Sequence, residues 1–371
     1  MRLTIMLLTA TASIVTASAA QAAPRFILNE FICSFDNTVV RGSARAEAER
    51  AAAPGGGILL HVYRNSIRGF AVRMPAEPDP RSQVAKLRAA NPKITRCERD
   101  QIMQISIQGK PGGGTGSTAE VIDWGVARVG GPGTAVGGRT AWVIDTGIDL
   151  DHPDLNVDLG RSKSFIRDTS PDDGNGHGSH VAGTIAAIDN DIGVVGVAPG
   201  AKLVAVRVLD RRGSGTNSGV IAGVDYVADI GVPGDVANMS LGGGVSTLLD
   251  EAVVRASSTG IRFVLAAGNE SDDANNHSPA RANGEFVYTV SSFTKNNDLW
   301  SSFSNFGNPP VDYAEPGSSI YSTYKEGSYA TLSGTSMAAP HLAGILMTGP
   351  VRSVSFVQGD PDNNPDKIGI R

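Results

Sequence analysis

Three short segments carry side chains suited to nucleophilic and acid–base chemistry. Ser336 stands in Ser333-Gly334-Thr335-Ser336-Met337-Ala338-Ala339-Pro340-His341, which runs on into the apolar stretch from Leu342 to Met347. Gly334 permits a tight backbone ahead of a helix, and Pro340, lacking an N–H, is tolerable only near a helix start. Ser336 is therefore expected at or just before a first helical turn, beside backbone N–H groups at the positive end of the helix dipole. A hydroxyl held there can attack a carbonyl, and the N–H groups can stabilise the oxyanion that results. Read alone, the same serine is an N-cap on an apolar helix.

A serine hydroxyl is a poor nucleophile until a base removes its proton. The chain has six histidines. Two of them share Gly176-His177-Gly178-Ser179-His180-Val181-Ala182-Gly183-Thr184, where His177 and His180 project from similar sides of a helix. A neutral imidazole suits the role of base, and a carboxylate on its other ring nitrogen fixes the tautomer. Asp145, in Val143-Ile144-Asp145-Thr146-Gly147-Ile148-Asp149, is such a carboxylate. The His-x-x-His spacing does not make a zinc site, because no Glu or further His stands where such a site needs it.

In the order Asp, His, Ser, these segments resemble the motifs of the subtilisin-like serine proteases. The resemblance runs from about Trp124 to Thr348 and is nearest the proteinase K-like branch. It implies a triad of Asp145, His177 and Ser336, with His180 structural. It implies Asn269, in Ala266-Ala267-Gly268-Asn269, as an oxyanion donor beside the backbone N–H of Ser336. It also implies that Ser240-Leu241-Gly242 and Ala266-Ala267-Gly268 form the edges and walls that bind an extended polypeptide. Small, uncharged walls imply a roomy first pocket with loose preference for apolar or aromatic side chains. Asp312, with carbonyls near Asn283 to Val287, is implied as a structural calcium ligand. No cofactor is implied for catalysis. Ser179 replaces the usual threonine of the second motif, a conservative departure.

The elements that must position these residues alternate. From Trp124 onward, apolar strands (Thr140–Ile144, Lys202–Leu209, Asp235–Leu241, Arg262–Ala267, Phe286–Val290) are separated by helices (His177–Ile188, Ser218–Asp229, Leu248–Ser258, Ser336–Met347). That pattern predicts an α/β fold with a mainly parallel, doubly wound sheet, in which ligands bind at the carboxyl ends of strands. Asp145, Ser240–Gly242 and Ala266–Asn269 all lie at such ends. The tail after Met347 is polar and turn-rich and is expected to lie on the surface.

Ahead of this domain, Arg25 to Ile107 reads as βαββαβ, the ferredoxin-like arrangement. It carries a weaker resemblance to the family's inhibitory propeptide. In that arrangement the first and last strands are neighbours, which brings Cys33 and Cys97, the only two cysteines, within reach of a disulfide. The expected organisation is a signal peptide over 1–22, a propeptide over 23–107, a glycine-rich processing linker over 108–118, and a peptidase domain over 119–371. Arg2, the apolar Leu3–Val15 and Ala20-Gln21-Ala22 supply the features of a secretory signal.

At 371 residues and net charge −5, with no basic run, the chain is large enough for two domains and is not built for nucleic acid or anionic membrane. The expectation is a secreted, monomeric serine endopeptidase that takes polypeptide substrates and is held in check by its own propeptide. Two rivals are a catalytically silent binding protein on the same scaffold and an esterase. The esterase lacks the Gly-x-Ser-x-Gly elbow, since Met337 and Ala338 follow Ser336.

Overall fold

The computed structural model describes residues 24–105, 107, 112–114 and 119–371. The signal peptide expected over 1–22, and most of the linker over 108–118, lie outside these residues.

The N-terminal unit contains β1 (Phe26–Phe35), α1 (Ala44–Ala52), β2 (Ile58–Tyr63), β3 (Gly69–Arg73), α2 (Pro80–Ala90) and β4 (Ile94–Gln104). Asp79 starts α2 by accepting the Arg81 N–H at 2.9 Å, with Pro80 at the first helical position. The sheet order is β2-β3-β1-β4, all antiparallel. Cys33 on β1 lies directly opposite Cys97 on β4, and the two are joined by a disulfide.

Next come β5 (Gly112–Gly114), α3 (Trp124–Arg128), β6 (Thr140–Asp145), β7 (Lys163–Ser164), α4 (His177–Ala186), β8 (Lys202–Arg207) and β9 (Ser214–Thr216). They are followed by α5 (Asn217–Ile230), β10 (Val236–Met239), α6 (Thr247–Ser257), β11 (Arg262–Ala266) and β12 (Val287–Phe293). The chain ends with β13 (Val311–Pro316), β14 (Ile320–Tyr324), β15 (Ser328–Leu332), α7 (Thr335–Thr348), β16 (Arg352–Phe356) and β17 (Lys367–Ile370). A nine-stranded sheet runs β16-β17-β13-β12-β11-β10-β6-β8-β7, parallel except for β16.

Side chains alternate across this sheet and divide the core in two. On β6, Ala141 and Val143 face one cluster with α4 and α7, while Trp142 and Ile144 face another with α5 and α6. The sheet is thus covered on both faces, as the unbroken apolar strands require.

Two expectations change. The tail is not a loose surface segment: β17 pairs with β13 and β16 pairs with β17, burying Ile368. Apolar residues at Ile368 and Ile370, spaced by two, give that strand an inward face that the preceding run of turn formers obscured. Pro340 lies inside α7, not at its start.

The N-terminal unit sits on the starts of α5 and α6. Asp100 accepts the Ser218 N–H at 3.1 Å, and Glu98 accepts from the Ser246 hydroxyl and, at 3.4 Å, from the Leu248 N–H. These carboxylates meet helix N-termini, where the dipole favours negative charge. In return Asp225 of α5 accepts from the backbone N–H groups of Arg64, Asn65 and Ser66 at 2.8–3.1 Å. Ile32, Tyr63, Ile67, Ala71 and Met103 complete the core cluster beneath α5 and α6.

Candidate active site

Asp145 ends β6 and is fully buried. Its Oδ1 accepts the Thr146 N–H at 2.7 Å and lies 2.8 Å from Nδ1 of His177, the first residue of α4. Because Oδ1 can only accept from this ring, the proton sits on Nδ1 and Nε2 keeps its lone pair. Nε2 is buried and makes no hydrogen bond.

Glycines allow this approach. Gly176 precedes the helix at φ +108°, where a Cβ would fall 2.3 Å from the Tyr324 ring. A Cβ on Gly178 would lie 2.0 Å from the Gly147 carbonyl oxygen, so only glycine lets α4 press this closely on the loop after Asp145.

The start of α4 is held by Asp173, a residue that sequence reasoning passed over. Its Oδ1 accepts from the Asn175 and Gly176 N–H groups at 2.9 Å, and from the Thr146 hydroxyl at 2.8 Å. Its Oδ2 accepts from the Ser179 N–H and hydroxyl at 2.9 and 2.7 Å. Asp173 thereby fixes the start of the His177 helix and the loop that carries Asp145 as one unit. The only sequence signal was an acid four positions ahead of the histidine. Ser179 also accepts the Asp149 N–H at 2.9 Å, so a hydroxyl is what this position requires.

His180 and His341 are engaged elsewhere. His180 Nε2 faces the carbonyls of Ile320 and Ala330 at 3.0 and 3.1 Å, and burial pushes its pKa down to about 3. His341 Nδ1 faces the Met337 carbonyl at 2.9 Å, and burial pushes its pKa down to about 4. Both are neutral packing residues.

Ser336 lies in the first turn of α7, where N–H groups have no intrahelical acceptor. Pro340 explains how its carbonyl is treated. Four residues on, proline offers no N–H to the Ser336 carbonyl, and the Ser240 hydroxyl donates to it instead at 2.8 Å. The Asn238 side chain in turn donates to the Ser240 hydroxyl at 2.8 Å. Ser336 Oγ donates to the Ser240 carbonyl at 3.3 Å, not to His177. Asn269 Oδ1 accepts from the Thr335 N–H and hydroxyl at 2.8 and 2.9 Å, which orients the amide with Nδ2 as its donor end.

Ser336 and Asn269 open on a pocket walled by Leu241, Gly242, Ala266, Ala267 and Gly268. The expected uncharged lining is corrected here, since Glu270 and His277 also line this pocket. Asn305 is the cause. Its Oδ1 accepts from the Glu270 and Asp272 N–H groups at 2.9 and 3.0 Å, and its Nδ2 donates to the Ala267 carbonyl at 3.0 Å and to Glu270 Oε2 at 2.8 Å. The loop after Asn269 is curled back, and the Glu270 carboxylate comes with it. Asp312 lies apart from this site, exposed, with Oδ2 accepting the Thr289 N–H at 2.9 Å. Among the described residues no group of three or more His, Cys, Asp or Glu is placed to hold a metal.

A parallel, doubly wound sheet with this arrangement at its carboxyl edge is that of a subtilisin-like serine endopeptidase. The chain belongs to the subtilase family, peptidase S8, whose sequence profile matches residues 138–348. Alkaline serine exoprotease A of Vibrio alginolyticus is 42% identical over 299 residues, 76% of this chain and 52% of that protein. The chain thus spans about half the length of that relative. The extracellular serine proteinase of a Thermus strain is 39% identical over 337 residues, 87% of this chain and 74% of that protein. Among solved structures, a cold adapted subtilisin-like serine proteinase matches with a TM-score of 0.58 at 42% identity, over 67% of this chain and 97% of that one.

Proposed function

We propose that the chain is a secreted endopeptidase of the proteinase K-like branch, made as an inhibited precursor, that hydrolyses polypeptides through an acyl-enzyme. The observation that carries this reading is the buried His177–Asp145 pair at 2.8 Å, with the histidine's other nitrogen bare. In the reaction Ser336 Oγ turns from the Ser240 carbonyl to His177 Nε2, gives up its proton there, and bonds to the substrate carbonyl carbon. Asp145 keeps the tautomer and stabilises the imidazolium. The Ser336 N–H and Asn269 Nδ2 take the oxyanion. His177 then hands its proton to the leaving amine, and water cleaves the ester.

Substrate lies as a strand along Ser240–Gly242, with its first side chain in the pocket. The alanine and glycine walls suit apolar or aromatic groups, and Glu270 extends tolerance toward basic ones. The N-terminal unit acts as the inhibitory propeptide. Its βαββαβ order and its hold on α5 and α6 support that role. Secretion is supported by the signal-like residues 1–22 and by the extracellular relative, and the enzyme acts as a monomer.

The expected result is that the protein degrades labelled casein and that Ser336→Ala does not. Turnover of a simple ester without casein degradation would favour an esterase, and loss of neither activity in the variant would remove Ser336 as nucleophile. Calcium enters this reading only as a structural ion. Asp312 offers hard carboxylate oxygen, and main-chain carbonyls would complete such a site. Excess chelator is then expected to lower the melting temperature of the parent but not of Asp312→Asn, because a ligand bound only to the native state stabilises it. Equal melting with and without chelator would strike the ion from the proposal.

A further inference from the structure

The helices of the N-terminal unit leave part of its sheet uncovered. Between α2 and β4 lies an open groove of about 640 Å³, lined by Phe31 and Cys97 of the sheet and by Val84 and Ala85 of the helix. Positions 81, 84, 85 and 88 share one face of α2, so Arg81 and Arg88 flank this apolar wall, and Arg99 adds a third guanidinium from β4. Arg88 donates to the Thr95 carbonyl at 3.2 Å, and Arg99 stacks 4.2 Å over the Phe26 ring. Among the described residues none of the three is paired with a carboxylate. Glu98 borders the groove too, but neighbouring strand residues point to opposite faces, and its carboxylate is taken by the Ser246 hydroxyl and the Leu248 N–H.

The disulfide at this groove is asymmetric. Cys33 is fully buried, whereas Cys97 is half-buried and lines the opening, so an incoming sulfur reaches Cys97 and not its partner. The link also matters to the unit that holds it. Four of the thirteen buried residues in the core beneath α1 and α2 are alanines, a small core of the kind that cross-links commonly reinforce. The bond joins residues 64 apart in sequence and so constrains most of the unfolded unit. It anchors β4, the strand that grips the peptidase domain through Glu98, Asp100 and Gln101, whose Nε2 donates to the Val245 carbonyl at 3.0 Å.

We propose that this groove is a thiol–disulfide exchange site for a small thiol that bears carboxylates, and that exchange there loosens the N-terminal unit's hold on the peptidase domain. The second half rests on the inhibitory role given to that unit above. The guanidinium groups bind the carboxylates and concentrate the thiolate beside Cys97. Its sulfur bonds to Cys97 Sγ as the bond to Cys33 Sγ breaks, and Cys33 leaves as a thiolate. A second thiolate attacks the sulfur of the first, forming a small-molecule disulfide and releasing Cys97. Two small thiols thus lose two electrons to the protein, and the two protons they lose end on Cys33 and Cys97. With the cross-link open, β4 can part locally from β1, and its contacts with α5 and α6 weaken together.

The test has two readings. Cys33 and Cys97 are the only cysteines, so thiol effects on the chain report this link. In the full chain carrying Ser336→Ala, loss of the disulfide is timed with reduced glutathione, mercaptoethanol and cysteamine, which are anionic, neutral and cationic, at equal thiolate concentration. Glutathione is expected to outpace cysteamine by ~10-fold at low ionic strength, and the double variant Arg81→Gln, Arg88→Gln to lose that preference. Equal rates for the three thiols would overturn the exchange site. In the parent chain, glutathione is expected to shorten the lag before casein degradation several-fold, and Cys33→Ser with Cys97→Ser to show the short lag without any thiol. An unchanged lag in parent chain whose disulfide has been reduced would overturn the loosening, whatever the folding of the serine variant. Casein degradation without a lag by the oxidised, uncut parent would instead overturn the inhibitory role, and the exchange site would stand or fall on the thiol rates alone.

Discussion

Asp145→Asn is expected to lower kcat on a chromogenic peptide by ~10⁴, the scale found when a serine protease loses the charge behind its histidine. The structure says why the loss cannot be repaired locally. Asp145 Oδ1 faces two donors, the Thr146 N–H and His177 Nδ1–H. An asparagine that keeps its oxygen there preserves both bonds and the tautomer, but it supplies no charge to the imidazolium. Its NH2 then occupies the place of Oδ2, which is buried and has no partner. Turned the other way, the amide presents hydrogens to the Thr146 N–H and drives the histidine's proton to Nε2, where the base is needed. Both states keep the volume of the side chain, so the melting temperature should move little. A kcat within tenfold of the parent would remove Asp145 from the reaction.

Glu315→Gln is expected to stabilise the protein against alkali and to leave it unchanged in acid. Glu315 is fully buried in β13, with no hydrogen-bond partner of good geometry on either oxygen. Burial pushes its pKa well above the usual carboxylate range, and the attraction of Arg128 offsets only part of this. Arg128 is already paired with both oxygens of Asp298, at 2.8 and 2.7 Å. The native state therefore holds the neutral acid, whereas the unfolded chain ionises near the ordinary value of 4.5. Below that value both states are protonated and nothing is lost. Above it the unfolded state gains by ionising, and native stability falls until the buried group itself titrates. Each pH unit in that window removes ~1.4 kcal/mol. For a domain of 150–250 residues, that is a fall of ~2–4 °C in melting temperature per kcal/mol. Glutamine keeps the shape and does not ionise. Melting curves of the two proteins that ran parallel from acid to alkaline pH would refute the account.

Much of the scaffold was legible because it depends on local pattern. The apolar strands of the sheet, and the alternation within the N-terminal unit, come from residues a few positions apart. Strand ends then placed Asp145, Ser240 and Ala266 at one edge. What could not be read depends on partners far along the chain. Asp173 is recognisable only once the Ser179 and Thr146 hydroxyls are seen to converge on it. Asn305 acts 35 residues from Glu270. That distance is why a charged side chain in the pocket wall went unforeseen. Nothing in the sequence marks Glu315 as buried, because its burial depends on β17, itself expected as surface tail.

The bond between the Ser240 hydroxyl and the Ser336 carbonyl ties two functions to one hinge pin. In the proposed reaction Ser240 belongs to the edge along which a bound chain runs, and Ser336 carries the attacking oxygen. That single bond, at 2.8 Å, fixes the strand end and the start of the helix to each other, so the offset between the cleft edge and the Ser336 hydroxyl is set by the fold. A helix of regular hydrogen bonding would have spent that carbonyl on its own interior. The proline that breaks the regularity leaves it for the strand, and helix and cleft edge share one frame.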